Sequence, residues 1–158
     1  MRTVLRQGRL LDPARGLDVE ADVVIEDGLV REVAPAGRGG GGDLVVEERG
    51  LVVAPGFVDL HVHLREPGFE DHETIRTGTQ AAACGGFTTV CCMANTRPVI
   101  DSAERVALVR DRAASEGRVR VRVVGALTKG LRGEELVDVP TMASAGCVAL
   151  SDDGRPVM

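Results

Sequence analysis

The sequence predicts an α/β protein. Residues 56–158 read as the first part of a metal-dependent β/α (TIM-like) barrel, about four β/α units, and residues 1–55 as a small β-sandwich-type domain preceding it. Three observations lead there. The first 55 residues hold short apolar runs of strand period around a strong Asp27-Gly28 hairpin signal. From Gly56 onward strand-like and helix-like stretches alternate, the pattern of parallel βαβ units. Between the two lies Gly56-Phe57-Val58-Asp59-Leu60-His61-Val62-His63-Leu64-Arg65-Glu66-Pro67-Gly68, an apolar strand carrying two histidines near its C-terminal end. Chemistry in β/α barrels is assembled at that end of the strands.

In the small domain, residues 3–6 and 9–12 read as short strand segments around Gln7-Gly8. Residues 18–26 alternate polar and apolar, Asp27-Gly28 turns the chain, and residues 29–34 return. Four consecutive glycines, residues 39–42, predict a flexible surface tip. No Gly-Lys-Ser/Thr follows them, so they are not a phosphate-binding loop. Residues 44–46 and 51–54 complete the set.

The first barrel strand is predicted over 57–64, ended by Pro67-Gly68. Helix one follows over about 70–84, opened by acidic residues that suit a helix N-terminus and closed by Gly85-Gly86. Strand two is 87–94. Helix two is 102–115, with Asp101 as N-cap, Gly117 as stop, and Val106, Leu108, Val109 and Ala113 as its apolar stripe. Strand three is 119–127, with Arg118, Arg120 and Arg122 alternating outward. A loop through Thr128-Lys129-Gly130 leads to a short helical stretch ending near Gly146, whose start is blurred by Pro140, and strand four is 147–150.

Composition narrows the classes of function. The chain has 158 residues, 44% of them hydrophobic and 27% charged, enough for a core and ordinary for a water-soluble protein. Three Phe and no Tyr or Trp leave no base-stacking platform, and a net charge of −5 offers no basic face for nucleic acid. Cys84, Cys91, Cys92 and Cys147 show no CxxC and no regular spacing, which fits a reducing, cytoplasmic setting better than a disulfide framework. No secretory leader and no run of about 18 apolar residues is visible, so neither secretion nor membrane spanning is expected.

His61 and His63 carry the sharpest signal. Side chains alternate along a strand, so the two imidazoles share a face roughly 6.6 Å apart along its axis and can converge on one ion. An isolated HxH is more often a pair of surface histidines, but here the flanks are apolar and Gly-bounded, as in a buried strand. Imidazole suits zinc, manganese and related ions, and a lone zinc site needs a third protein ligand. Asp152-Asp153-Gly154 follows strand four at the same face; in isolation such a triplet reads as a turn. Arg65, just past the histidines, is placed to grip a carboxylate bidentately. Asn95, at the end of strand two, reads equally as a turn residue or as an amide donor. His72, in an acidic stretch, is expected to cap or to be solvated.

These motifs resemble one family. GFVDLHVHLREPG, then Met93-Ala94-Asn95-Thr96-Arg97-Pro98, then Ser151-Asp152-Asp153-Gly154, resemble in order the bacterial dihydroorotases, cyclic amidohydrolases of the amidohydrolase superfamily. The resemblance implies reversible hydrolysis of (S)-dihydroorotate to N-carbamoyl-L-aspartate in de novo pyrimidine biosynthesis, by a metal-bound hydroxide. It implies one or two Zn2+ ions held by His61, His63 and Asp153, with Asp152 the competing choice for the bridging carboxylate. Many superfamily members use a carbamylated lysine there, but the only lysine here, Lys129, follows strand three. Arg65 and Asn95 become substrate-binding residues. Family members are much longer, so the chain is expected to be an incomplete N-terminal portion, inactive alone, with the catalytic aspartate and further histidine ligands beyond Met158. A homodimer or an association with aspartate transcarbamoylase is implied for the full-length protein, with no nucleic acid or membrane partner. Two rivals remain: a hydantoinase or allantoinase, whose substrates lack the carboxylate for Arg65 and Asn95, and a non-catalytic dihydroorotase-like subunit of aspartate transcarbamoylase, which would be expected to lose metal ligands.

Overall fold

The structure is a computed structural model that describes residues 1–47 and 49–158. The chain divides into two compact units, Met1–Pro55 and Gly56–Met158.

The first unit contains β1 (Arg2–Asp12), β2 (Leu17–Glu26), β3 (Leu29–Pro35), β4 (Leu44–Glu47) and β5 (Val52–Val53). They form one mixed sheet of order β3-β2-β1-β4, with β5 also on β1. The β1–β2 and β2–β3 pairs are antiparallel, while β4 and β5 run parallel to β1. A sandwich needs two facing sheets; the described residues of this unit contribute one. The two expected short segments are a single strand, β1, with a bulge between Leu5 and Gly8 where Gln7 takes φ 56°. Asp27-Gly28 turns the β2–β3 hairpin with both residues at positive φ.

The glycine run departs from the expectation of a loose tip. Asp22, fully buried, accepts the backbone N–H of Gln7 (2.9 Å), Gly37 (3.0 Å) and Gly39 (2.8 Å). The carbonyls of Gly39, Gly40 and Gly41 in turn accept from the guanidiniums of Arg2 and Arg6. Gly39 must be glycine because a Cβ there would lie 2.9 Å from that of Asp22. Composition alone reports flexibility; a buried carboxylate that needs amide donors overrides it. Burial by itself would push the Asp22 carboxyl up, but the three amides outweigh it and hold it below the usual carboxylate range.

The second unit is a four-stranded parallel sheet of order β6-β7-β8-β9: β6 (Phe57–Val62), β7 (Phe87–Cys92), β8 (Arg120–Gly125) and β9 (Cys147–Leu150). Helices α1 (Ile75–Cys84), α2 (Ala103–Glu116) and α3 (Val139–Ser144) connect them, with a 3₁₀ turn at Lys129–Leu131. Ile75, Val90, Cys92, Ile100, Val106, Val109, Val123 and Met142 form the layer of contact between helices and sheet. Full burial of each large aliphatic side chain contributes about 1.5–3 kcal/mol.

Several boundaries differ from expectation for identifiable reasons. Helix α1 starts at Ile75, because Thr74 and Thr77 form a reciprocal capping box; Glu70, Asp71 and Glu73 lie in the loop before it. Helix α2 is capped at Ser102, not Asp101, whose carboxylate instead accepts from Arg105 and from Gly130 N–H at 2.8 Å. Leu108 falls on the exposed side of α2, while Val106 and Val109 are buried. Pro140 sits in the first turn of α3, where its missing N–H costs nothing, behind the Asp138 cap. Arg120 and Arg122 are exposed, but on the sheet face that also bears Cys91, Met93 and Val124, opposite the helices.

Candidate metal centre

Strand β6 ends at Val62, whose carbonyl accepts the Met93 N–H at 3.0 Å. His61 is therefore the penultimate strand residue and His63 the first beyond it. Leu64 packs into the core and Arg65 takes a left-handed backbone, φ 61°, so the chain has already left the strand before Pro67-Gly68.

Asp153 arrives from the other edge of the sheet, three residues past β9, also left-handed at φ 43°. Its Oδ1 lies 2.9 Å from His61 Nε2 and its Oδ2 lies 3.9 Å from His63 Nε2. One ligand atom from each of the three residues falls within 4.8 Å of the others, and the two imidazole centroids are 5.1 Å apart. Two imidazole nitrogens and a carboxylate oxygen are donor types that zinc and similar divalent ions accept. The donor set fits a metal, short of a complete coordination sphere.

Asn95, in the loop after β7, joins two members of the trio. Its amide nitrogen donates to Asp153 Oδ2, and its Oδ1 lies 2.9 Å from His63 Nδ1. A carboxylate only accepts, so the amide nitrogen must face Asp153 and the amide oxygen His63. His63 Nδ1 is then the donor, which leaves Nε2 with its lone pair directed to the trio. Partners of this kind fix the tautomer and ring orientation of a ligating histidine. The sequence expectation for Asn95 names a substrate donor and not this link.

The two aspartates diverge. Asp152 is buried, 4% exposed, and turned away from the histidines towards the loop after β8. Its Oδ1 accepts the N–H of Leu127 (2.8 Å) and Thr128 (2.9 Å), and its Oδ2 accepts the Thr128 hydroxyl. Burial would raise its carboxyl, but the hydroxyl and the two amides hold it below the usual range. Of the two aspartates, only Asp153 reaches the imidazoles.

The loops around the trio are bonded to one another. The Arg97 N–H donates to the Pro67 carbonyl at 2.8 Å, and Gly68 at φ 99° approaches Arg97 so closely that a Cβ would stand 1.9 Å from its carbonyl oxygen. Arg65 and Asn95 therefore sit on two interlocked loops. Glu66 anchors the first of them, accepting from the leading amide of α1 (Ile75 N, 2.8 Å) and from Arg112 of α2. Sequence reasoning missed Glu66, although an acidic residue directly after the Arg65 position and before Pro67-Gly68 was a legible hint. His72 is exposed beside Asp71, and Lys129 is exposed beside Glu135; neither joins the site.

The two buried thiols, Cys91 and Cys92, offer no competing nucleophile. Cys92 is pushed up to about 12 by burial, and Cys91 is raised for the same reason. All four cysteines are free.

Comparison with known proteins gives a consistent picture. The family described as Dihydro-orotase-like matches residues 50–158. A dihydroorotase of Solibacter usitatus is 52% identical over the whole of this chain and 36% of its own length. A dihydroorotase of Geobacter sulfurreducens is 46% identical over 99% of this chain and 37% of its own length. The chain thus spans little more than a third of these relatives. Among solved structures, the L-hydantoinase (dihydropyrimidinase) of Arthrobacter aurescens superposes with a TM-score of 0.80 over 94% of this chain and 32% of its own, at 23% identity. That likeness is one of fold, and it places the four-stranded sheet and its helices as the N-terminal part of an α/β barrel.

Proposed function

The chain belongs to the dihydro-orotase-like family, and on that premise we propose that it supplies the first β/α units and part of the metal centre of a dihydroorotase. The reaction is the reversible hydrolysis of (S)-dihydroorotate to N-carbamoyl-L-aspartate, in de novo pyrimidine biosynthesis. The observation that carries the reading is the convergence of His61, His63 and Asp153 at the C-terminal ends of β6 and β9.

His61 and His63 would hold the metal, and Asp153 would provide the carboxylate, in the place where many amidohydrolases put a carbamylated lysine. Zinc is the metal proposed. When bound there it supplies a Lewis acid for the amide carbonyl and acidifies a water. Asn95 keeps His63 in the tautomer that presents Nε2, and retains one amide hydrogen for substrate. Arg65, on the loop interlocked with that of Asn95, pairs with the substrate carboxylate through its planar guanidinium. The remaining ligands and the proton-transferring aspartate belong to later strands of the family's barrel.

The protein acts on small molecules in the cytoplasm, as a homodimer or with aspartate transcarbamoylase. Its four free cysteines suit a reducing compartment, and no helix among the described residues is long and apolar enough to cross a membrane.

Turnover of the full-length protein on dihydroorotate, N-carbamoyl-L-aspartate, hydantoin and allantoin tests the proposal. Activity on the first pair and not on the others is expected. Turnover of hydantoin or allantoin alone would move the assignment to another cyclic amidohydrolase.

A further inference from the structure

Asp152 has no access to the histidines, yet it is among the most thoroughly bonded carboxylates in the molecule. Both oxygens are used, three donors converge on them, and the side chain is 4% exposed. The Thr128 hydroxyl that donates to it is itself buried and accepts the Gly133 N–H at 2.9 Å, so its proton has one direction left. The next residue, Asp153, holds a left-handed backbone at φ 43°, a region that aspartate enters more readily than most residues and that turns its side chain away from that of Asp152. Two further bonds brace the turn: Ser151 N–H to Gly125 carbonyl at 2.9 Å, and Asp153 N–H to Ser151 Oγ at 3.1 Å.

We propose that Asp152 is a positioning residue, whose bonds to Leu127 and Thr128 lock the turn after β9 so that Asp153 is presented to His61 and His63. Neighbouring side chains along this turn point to opposite partners, one to the loop after β8 and one to the imidazoles. Fixing the first therefore fixes the second. The proposal rests on the reading of His61, His63 and Asp153 as a metal centre.

The test uses the full-length protein, stripped of metal and titrated with Co2+ alone, following its d–d absorption and affinity alongside the thermal midpoint of the metal-free form. Asp153→Ala serves as the reference for loss of a ligand. Asp152→Ala should weaken Co2+ binding about tenfold or more and alter the absorption bands, the size expected when a partner of a metal ligand is removed. Asp152→Asn, which keeps an oxygen for the two amides, should recover most of the affinity. Thr128→Val removes the hydroxyl's bond to Asp152 and the one it accepts from Gly133 but spares the two amides on Asp152, and it should give a smaller loss, which keeps the proposal open to refutation if Asp152→Ala fails to fold. Co2+ affinity and spectrum unchanged in Thr128→Val, and in any folded Asp152→Ala, overturn the proposal while leaving the metal centre intact. Equal Co2+ binding by wild type and Asp153→Ala, or none by wild type, overturns the metal reading itself and this proposal with it.

Discussion

Asn95 and His63 are 32 positions apart in the chain, and the amide Oδ1 of one lies 2.9 Å from the ring Nδ1 of the other. That contact decides which imidazole nitrogen is offered to a metal, because the opposite end of the amide is committed to Asp153. Asn95→Ala should therefore weaken divalent-metal binding by the full-length protein about tenfold, beyond any effect on substrate. Isothermal titration of the metal-free protein with Zn2+ reads this directly. Unchanged affinity would restrict Asn95 to the substrate.

His61→Ala combined with His63→Ala should leave the full-length protein with markedly less bound metal than wild type. Elemental analysis after identical purification gives the comparison. Equal metal content in the two proteins is the result that defeats the assignment.

Arg65→Met should lower kcat/KM for dihydroorotate at least about tenfold, since hydrogen bonds to charged groups contribute about 1.5–3 kcal/mol each and about 1.4 kcal/mol is one decade. Metal content should not change. Dihydrouracil, which lacks the carboxylate, should lose nothing further from its poor baseline. An equal loss on both compounds would make the arginine structural.

Asp22 should make the first unit sensitive to acid. Its carboxyl lies below the usual range in the folded chain, so the folded state binds fewer protons than the unfolded one near pH 4. The stabilisation is present above the unfolded value and is lost as pH falls through the folded value. Asp22→Asn should cost about 1–3 kcal/mol at pH 7, the penalty for poorly satisfied buried amides, and should flatten the fall in stability below about pH 4. Urea melts of both proteins between pH 7 and pH 3 provide the measurement; parallel slopes would contradict it.

Residues 1–158 expressed by themselves should associate and show no dihydroorotase turnover. Phe57, Val58 and Leu60 of β6 and Val148 of β9 are exposed on the two outer strands of the sheet. Light scattering and a turnover assay address both halves of the statement. A monodisperse, cooperatively melting and active monomer would refute it.

Much of the site was legible in the sequence because strand period is a strong rule. Two histidines at i and i+2 must share a face, and a carboxylate after the last strand of a parallel set must emerge at the same end. The choice between Asp152 and Asp153 was not legible, since it turns on a left-handed backbone and on partners in the loop after β8. The start of α1 was misplaced for a similar reason. A run of acidic residues resembles a helix opening, but the Thr74–Thr77 box competes with it and wins. Glycine-rich composition likewise concealed the buried anion of Asp22, which no periodicity announces.

Anyone building chimeras from this scaffold would find the loops sold in pairs. The segment after β6 carries the carbonyl that Arg97 needs, Asp101 holds Gly130, and Leu127 with Thr128 hold Asp152. A single loop grafted from a relative of other specificity arrives without its neighbour's partner and leaves a buried donor or acceptor orphaned. Successful exchange would have to move residues 65–68 together with 95–98, and residues 126–130 together with 151–153. Natural drift in specificity is bound by the same rule, so adjacent loops should change in concert or hardly at all.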